Sequence, residues 1–389
     1  MRVCIVTTAF PRWAGDDRGA FILEAARALH REGLFVRVIA MHSPSARTRE
    51  TMDGVEVIRP RYLWPESLEM LQKEGGGLPE MWRKRRLARW AILPFCVAHT
   101  LAVMRYARDC DIIHANWTLS AVAAWAGRVW HRRPMLAMVH GSDIYQAAQI
   151  RPVRFFTRLA LARCARVLAP SRSLADATIA LGIPPNRVEV IPNGVDTDRF
   201  RPGLDEREPI ILFVGSLIPR KGVSFLIRSM VQVSRTLPEF RLVIAGEGSL
   251  RSDLVALAES LGLADRICFV GLQPPNAISE WMRRARLFVL PSIEEGLGVV
   301  ILEALASGTP CVGSHVGGIP DAISPDVGML VPPADEYALS QAIIRLLADE
   351  EAWRTMSRHA RARALEHYAW AHSAKRLTEI YQEILNGDA

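Results

Sequence analysis

Paired cysteines, long apolar runs and lysine are all scarce in this chain of 389 residues. The six cysteines, Cys4, Cys96, Cys110, Cys164, Cys268 and Cys311, stand far apart with no Cys-x-x-Cys pair. That spacing suggests neither a zinc site nor a disulfide framework and fits a reducing cytoplasm. The most apolar stretch, Trp90 to Met104, is broken by Pro94, His99 and Thr100 and falls short of the roughly 18 residues that mark a membrane span. The opening MRVCIVTTAFPRWAGDD lacks a cleavage-site pattern and reads as a first strand rather than a leader. No helix-turn-helix, zinc-finger or RNA-binding string is present, so no nucleic-acid partner is expected. Lysine occurs only as Lys73, Lys84, Lys221 and Lys375 among 48 basic residues, which singles out Lys221 in a chain that otherwise uses arginine.

What is there is a globular composition, 50% apolar and 23% charged, long enough for two cores. Charge is uneven: residues 1–190 carry 28 Lys and Arg against 16 Asp and Glu, and the remainder carries 20 against 25. The basic half is expected to face something anionic. Strand-like runs alternate with helical patterns throughout, which predicts an α/β fold with parallel sheets. Strands are expected near 3–8, 34–40, 55–60, 111–115, 135–140, 166–171 and 187–192, then at 210–215, 241–246, 266–271, 286–292, 310–314 and 328–333. Residues 1–192 read as an N-terminal acceptor-side domain, 193–209 as a linker rich in proline and glycine, and 210–389 as a C-terminal domain whose last helix, about 370–386, packs back on the first. Two Rossmann-like domains imply an active site in the cleft beyond the carboxyl ends of their strands. The segment from Trp64 to Trp90, with Gly75, Gly76 and Gly77 together, breaks the alternation and reads as a mobile insertion.

Several strings carry chemistry. EGLGVVILEALASGTPCVGSHVGG, Glu295 to Gly318, follows a buried strand with a glycine loop (Gly296, Leu297, Gly298, Val299) and a helix start, where free N–H groups and the helix dipole favour an anion. Glu295 and Glu303 lie eight residues apart, about two turns and roughly 80° on ideal helix geometry. FVGSLIPRKGVSFLI runs from a strand through Gly215 and Ser216 to Arg220, Lys221 and Gly222 before a helix, where two cations suit a diphosphate. MVHGSDIY places His140 at a strand's carboxyl end and Asp143 on the following turn. FPRWAGDDRGAFILE has Gly15 and Gly19 around Asp16 and Asp17, glycines that allow close backbone approach to a ligand. Asn193 and Gly194 in PNGVD, Gly246 and Gly248 in AGEG, and Gly317 and Gly318 near Asp321 sit at loop positions. Asp196-x-Asp198 resembles a metal-binding pair but falls in the linker, and no obligatory metal is expected. The basic, aromatic-flanked MWRKRRLARWAILPF, Met81 to Phe95, reads either as an anionic-membrane surface with Trp82 and Trp90 at the interface, or as a solvated charge run beside a buried helix.

In this order, over nearly the full chain, these strings resemble glycosyltransferase family 4, the group 1 retaining glycosyltransferases of GT-B fold. The resemblance implies two Rossmann-like domains facing each other across a deep cleft. It also implies transfer of a sugar from a UDP-, GDP- or ADP-sugar, with retention, to a glycan or lipid-linked acceptor. By similarity, the donor sits mainly on the C-terminal domain, His140 touches the donor sugar, Glu295 contacts sugar hydroxyls and Glu303 the ribose hydroxyls. The remaining donor contacts would come from Gly15, Gly19, Asp143, Asn193, Gly215, Ser216, Gly246 and the loop Gly296 to Val299. The family commonly has arginine after the strand glycine, where this chain has Ser216, so Arg220 would supply that charge beside Lys221. No histidine general base is implied, because the leaving phosphate takes the acceptor proton in front-side attack. The rival readings are a nucleotide-sugar epimerase of similar architecture and a non-catalytic sugar-nucleotide binder. The implied setting is the cytoplasm, including the inner face of the membrane, in cell-surface polysaccharide or glycolipid synthesis.

Overall fold

The computed structural model describes residues 1–16, 18–69, 71, 86–141, 143–145, 150–203 and 206–387, with residues 86–89 by backbone alone. The chain forms two compact units, Met1–Pro192 with Ser373–Ala389, and Asn193–His372.

The first unit is an eight-stranded sheet: β1 (Arg2–Thr7), β2 (Phe35–Ala40), β3 (Arg49–Met52), β4 (Val55–Ile58), β5 (Ile112–Asn116), β6 (Met135–Met138), β7 (Val167–Ala169) and β8 (Val188–Val190). Their order is β3-β4-β2-β1-β5-β6-β7-β8, all parallel except the β3 edge. The strands of the middle are apolar on both faces, as a sheet covered by helices requires. Helices α1 (Ala20–Arg31), α2 (Arg86–Tyr106), α3 (Thr118–His131), α4 (Arg151–Leu161) and α5 (Arg172–Ala180) make the crossovers. Since β4, β5, β6 and β7 advance in one direction, right-handed crossovers put α2, α3 and α4 in one layer, where α3 packs between the other two. Sequence periodicity missed β3. It is a short, polar edge strand, paired through Asp53 and Gly54, both at positive φ as a two-residue hairpin turn demands.

The second unit has β9 (Glu208–Val214), β10 (Arg241–Ala245), β11 (Ile267–Gly271), β12 (Ala285–Leu290), β13 (Cys311–Ser314) and β14 (Gly328–Val331), in the order β11-β10-β9-β12-β13-β14 and parallel throughout. Its helices are α6 (Val223–Thr236), α7 (Arg251–Ser260), α8 (Pro275–Arg284), α9 (Val299–Ala306), α10 (Ile319–Ala322), α11 (Glu336–Ala348) and α12 (Glu350–Arg363).

One boundary differs from that read off the sequence. Residues 193–209 are not a free linker: Val195 and Phe200 are buried in the second unit's core, and Val195 N–H donates to the Tyr368 carbonyl at 2.7 Å. Arg207, half-buried in the same stretch, donates to the carbonyls of Met282, Ala285, Ser307 and Gly308. The last helix, α13 (Trp370–Asn386), leaves the second unit after His372: Ser373 Oγ donates to the Pro192 carbonyl, Arg376 pairs with Glu189 at 2.8 Å, and the buried Tyr381 hydroxyl meets His114 Nδ1 at 2.7 Å. Of the supposed insertion, residues 70 and 72–85 lie outside the described residues. At its beginning Trp64 and Leu68 are exposed, while Glu69 and Leu71 are buried and Glu69 accepts from the Tyr62 N–H and pairs with buried His42.

Candidate functional site

In an open parallel sheet a crevice forms where neighbouring strands send their connections to opposite faces, and ligands bind at the carboxyl ends beside it. In the second unit that switch lies between β9 and β12. Lys221 comes from the 3₁₀ turn after β9 (Pro219–Lys221) and Glu295 from the loop after β12, and the Lys221 ammonium donates to Glu295 Oε2 across the switch. Both are mostly shielded, with side chains 13% and 11% exposed, so the pair is only weakly screened by water. Ser292 Oγ also lies 3.4 Å from Glu295 Oε2.

The surrounding loops are stitched together by backbone. The Arg220 carbonyl accepts the Ile293 N–H at 2.7 Å, and the Glu247 carbonyl accepts the Leu217 N–H at 2.9 Å. Close approach explains two glycines. Gly222 caps α6 at φ +65°, and a Cβ there would fall 2.0 Å from the Pro291 carbonyl oxygen; at Gly317 (φ +54°) it would fall 1.8 Å from that of Glu295. Gly246 packs as tightly, a Cβ meeting the Gly215 carbonyl at 1.9 Å.

Gly298 at φ +80° starts α9. Glu295 therefore lies outside the helix, and the 80° relation to Glu303 expected from ideal helix geometry does not hold. Glu303 sits in the second turn of α9, where burial pushes its carboxyl up to about 7, with Arg199 pulling the other way. Arg199 was not singled out in the sequence. It is brought there by the segment read as linker, in which Asp196 Oδ1 accepts the N–H groups of Asp198 and Arg199 while Oδ2 pairs with the Arg199 guanidinium at 3.5 Å. Asp196 is thereby occupied in shaping its own loop. Asn193 is buried and Ser216 exposed, as is the Arg220 side chain. Leu297, expected among the donor contacts, is instead a core side chain at 4% exposure. Gly296 N–H donates to Glu295 Oε1 at 3.2 Å, and Gly215 and Val299 are half-buried at the loop's edge.

In the first unit the switch lies between β1 and β5. His140, at the end of β6, hydrogen-bonds through Nε2 to Asn116 Oδ1 at 2.9 Å, and its ring packs on Trp117 at 4.4 Å and Phe21 at 5.2 Å. Burial, with a smaller push from His114, drives the His140 imidazole down to about 3, so it is neutral at physiological pH. Asp143 does not project freely: its oxygens accept the N–H groups of His140 and Thr118, each at 3.1 Å, and burial raises its pKa. It positions the β6 loop against α3. Trp117 is held at φ +65°, a strained conformation for a side chain of that size. Asn116, Trp117 and Phe21 were missed in the sequence; the available signal was their place at the carboxyl end of β5, directly after it, and at the start of α1. Gly15 lies in a turn closed by Asp16 N–H to the Trp13 carbonyl and by the Arg12–Asp16 ion pair at 2.7 Å. Gly19 is accounted for by the chain itself, because a Cβ there would meet the Ala9 carbonyl at 2.5 Å. Asp17 lies outside the described residues.

Residues 194–363 match the family model for group 1 glycosyl transferases, and residues 19–199 that for glycosyltransferase family 4. A D-inositol 3-phosphate glycosyltransferase from Nocardia farcinica is 29% identical over 418 residues, spanning 95% of this chain and 86% of the relative. Among solved structures, sucrose-phosphate synthase from Thermosynechococcus elongatus superposes with a TM-score of 0.82 at 24% identity, covering 100% of both chains. Anabaena HepE in complex with UDP-glucose does so with 0.76 at 18% identity, covering 98% of this chain and 100% of the other.

Proposed function

Because the chain belongs to the group 1 glycosyltransferases and has the GT-B fold, we propose that this enzyme moves a sugar from a nucleotide-diphosphate donor, with retention and without an obligatory metal, to a glycan or lipid-linked acceptor. The observation that carries the reading is the meeting of Lys221 and Glu295 at the β9/β12 switch, in the loop that leads into α9, the helix that carries Glu303. A cation and the N-terminal end of a helix suit the charge that develops on a departing diphosphate. Arg220 adds a second cation on the same turn, and Glu295 exchanges its lysine for sugar hydroxyls when the donor enters. Glu303 accepts from the ribose. Neutral His140 donates through Nε2 to Asn116, which fixes its ring, and its Nδ1 accepts a hydrogen bond from the transferred sugar. HepE is described with UDP and UDP-glucose, and the Nocardia relative is named for an inositol phosphate. Those names supply the first donor and acceptor to try. We place the enzyme in the cytoplasm, at the inner face of the membrane, in the synthesis of a surface polysaccharide or glycolipid.

Incubation with labelled UDP-, GDP- and ADP-sugars separates this reading from its rivals. Transfer to an added acceptor, unaffected by EDTA and with the donor's anomeric configuration kept in the product by NMR coupling, is the expected result. Donor converted without acceptor would identify an epimerase, and binding without turnover a sensor.

A further inference from the structure

The helix layer α2, α3 and α4 of the first unit lacks the mixed charge that a water-facing layer normally carries. Its three sequences contain no aspartate or glutamate, while arginine recurs at Arg105, Arg128, Arg151, Arg154 and Arg158, all exposed. The same layer exposes large apolar side chains. On α2, Trp90, Leu93, Val97 and Leu101 are 81%, 72%, 52% and 55% exposed, at helical spacings of three and four that form one outward stripe. Its opposite side is the buried one, with Ala91, Phe95, Ala102 and Val103 in the interior. On α3, Val129 and Trp130 are exposed, and on α4, Phe155 and Phe156.

The helices are in register to make this one face. Leu119 at the start of α3 packs on the cluster containing Ala91 and Phe95, and Gly127 packs on Val103 and Met104. The Arg133 guanidinium donates to the Arg108 carbonyl, so α2 and α3 end together, in a cluster with exposed Arg105, Arg108, Arg128 and Arg132. Exposed contiguous apolar surface marks an interaction site. The three helices themselves carry arginine and no acid, and Asp109 just past α2 is already paired with Arg2 and Arg37, so the exposed arginines favour an anionic partner, and the long exposed side chains suit a soft apolar phase beneath that charge. No helix among the described residues is long and apolar enough to cross a membrane, so the geometry is that of a surface lying on the bilayer.

We infer that the outer face of α2, α3 and α4 is a docking surface for an anionic lipid bilayer, with Trp90, Leu93, Val97 and Leu101 entering the headgroup region and the arginines meeting lipid phosphates. This deepens the peripheral placement proposed above by assigning it a surface. It also moves the contact from the sequence expectation: Phe95 is buried and cannot insert, Met81 to Arg85 lie outside the described residues, and the stripe runs on past them to Leu101.

The test is co-sedimentation of the full chain with vesicles of phosphatidylcholine alone or with 30% phosphatidylglycerol (about that fraction suffices to set an anionic surface), at low and high salt. Binding is expected only to the anionic vesicles and to weaken with salt. The Trp90→Ser/Leu93→Ser/Val97→Ser/Leu101→Ser variant, whose changes are all at exposed positions, should bind about a hundred-fold more weakly. The Arg105→Gln/Arg128→Gln/Arg132→Gln variant should lose the dependence on anionic lipid, with melting temperatures unchanged in both. Tryptophan fluorescence quenched by brominated lipid in the wild type, and reduced by Trp90→Phe, places the stripe in the bilayer. Absence of binding to any vesicle overturns the membrane placement as well as the surface. Binding unaltered by the α2 variant overturns the surface alone. A dimer in solution that the α2 variant dissociates assigns the face to a second copy and overturns the lipid reading, while donor turnover in the same preparations reports on the glycosyltransferase reading independently.

Discussion

Glu303 carries the most informative perturbation at the scale of single residues. Its folded value near 7 lies above the 4.5 of an unperturbed glutamate, so its contribution to stability is full below about pH 4.5 and is lost as pH rises through 7. Glu303→Gln removes that loss. The variant should melt about 3 °C above wild type at pH 8 and equal to it at pH 5, by calorimetry at both values. The same change should raise the donor KM about ten-fold with kcat little altered, since a ribose contact far from the anomeric carbon binds ground and transition states alike. Equal donor KM values for the two proteins would remove Glu303 from the donor site. Lys221→Ala should lower kcat about a hundred-fold or more, by loss of the cation facing the leaving diphosphate. Steady-state rates within a few-fold of wild type would contradict that role. These residue types were legible in the sequence from their loops, whereas the direct Lys221–Glu295 pair and the proximity of Arg199 to Glu303 were not, because sequence separations of 74 and 104 are closed only by the sheet.

Elements explain why the loops have the shapes that put those groups together. The β9 loop turns into α6 through Gly222, whose left-handed conformation and contact with the Pro291 carbonyl admit no Cβ. Gly222→Ala must push the β9 and β12 loops apart. Turnover should fall about ten-fold or more while the far-UV circular dichroism keeps its shape, and normal kinetics in the variant would show that the contact is dispensable. The strands themselves were readable as short apolar runs ending in glycine, and nearly all were located within two residues of their positions. What failed was the edge strand β3, too polar for a periodicity reading, and the ideal-helix relation between Glu295 and Glu303, interrupted by Gly298.

At the scale of the whole chain, the return of α13 to the first unit makes residues distant in sequence share one core. Tyr381 is buried there against His114, whose Nε2 has no partner and whose imidazole burial pushes down to about 4. Tyr381→Phe leaves that buried histidine with no hydrogen bond and should destabilise the first unit by about 1 kcal/mol, read by urea titration followed with probes in each unit. An equal effect on the probe in the second unit would mean that the two units unfold as one. Sequence alone determined the alternation of strands and helices, the two-unit division and the family, because periodicity, turn glycines and ordered motifs are local properties of the chain. Tertiary structure decided which loops meet at each switch point, that residues 193–209 belong to the second core, that the Asp143 carboxylate accepts backbone N–H groups and the Leu297 side chain packs inward, and which apolar side chains of α2 remain outside. Those outcomes follow from strand order and helix rotation, which are set by packing between segments that the linear pattern leaves unpaired.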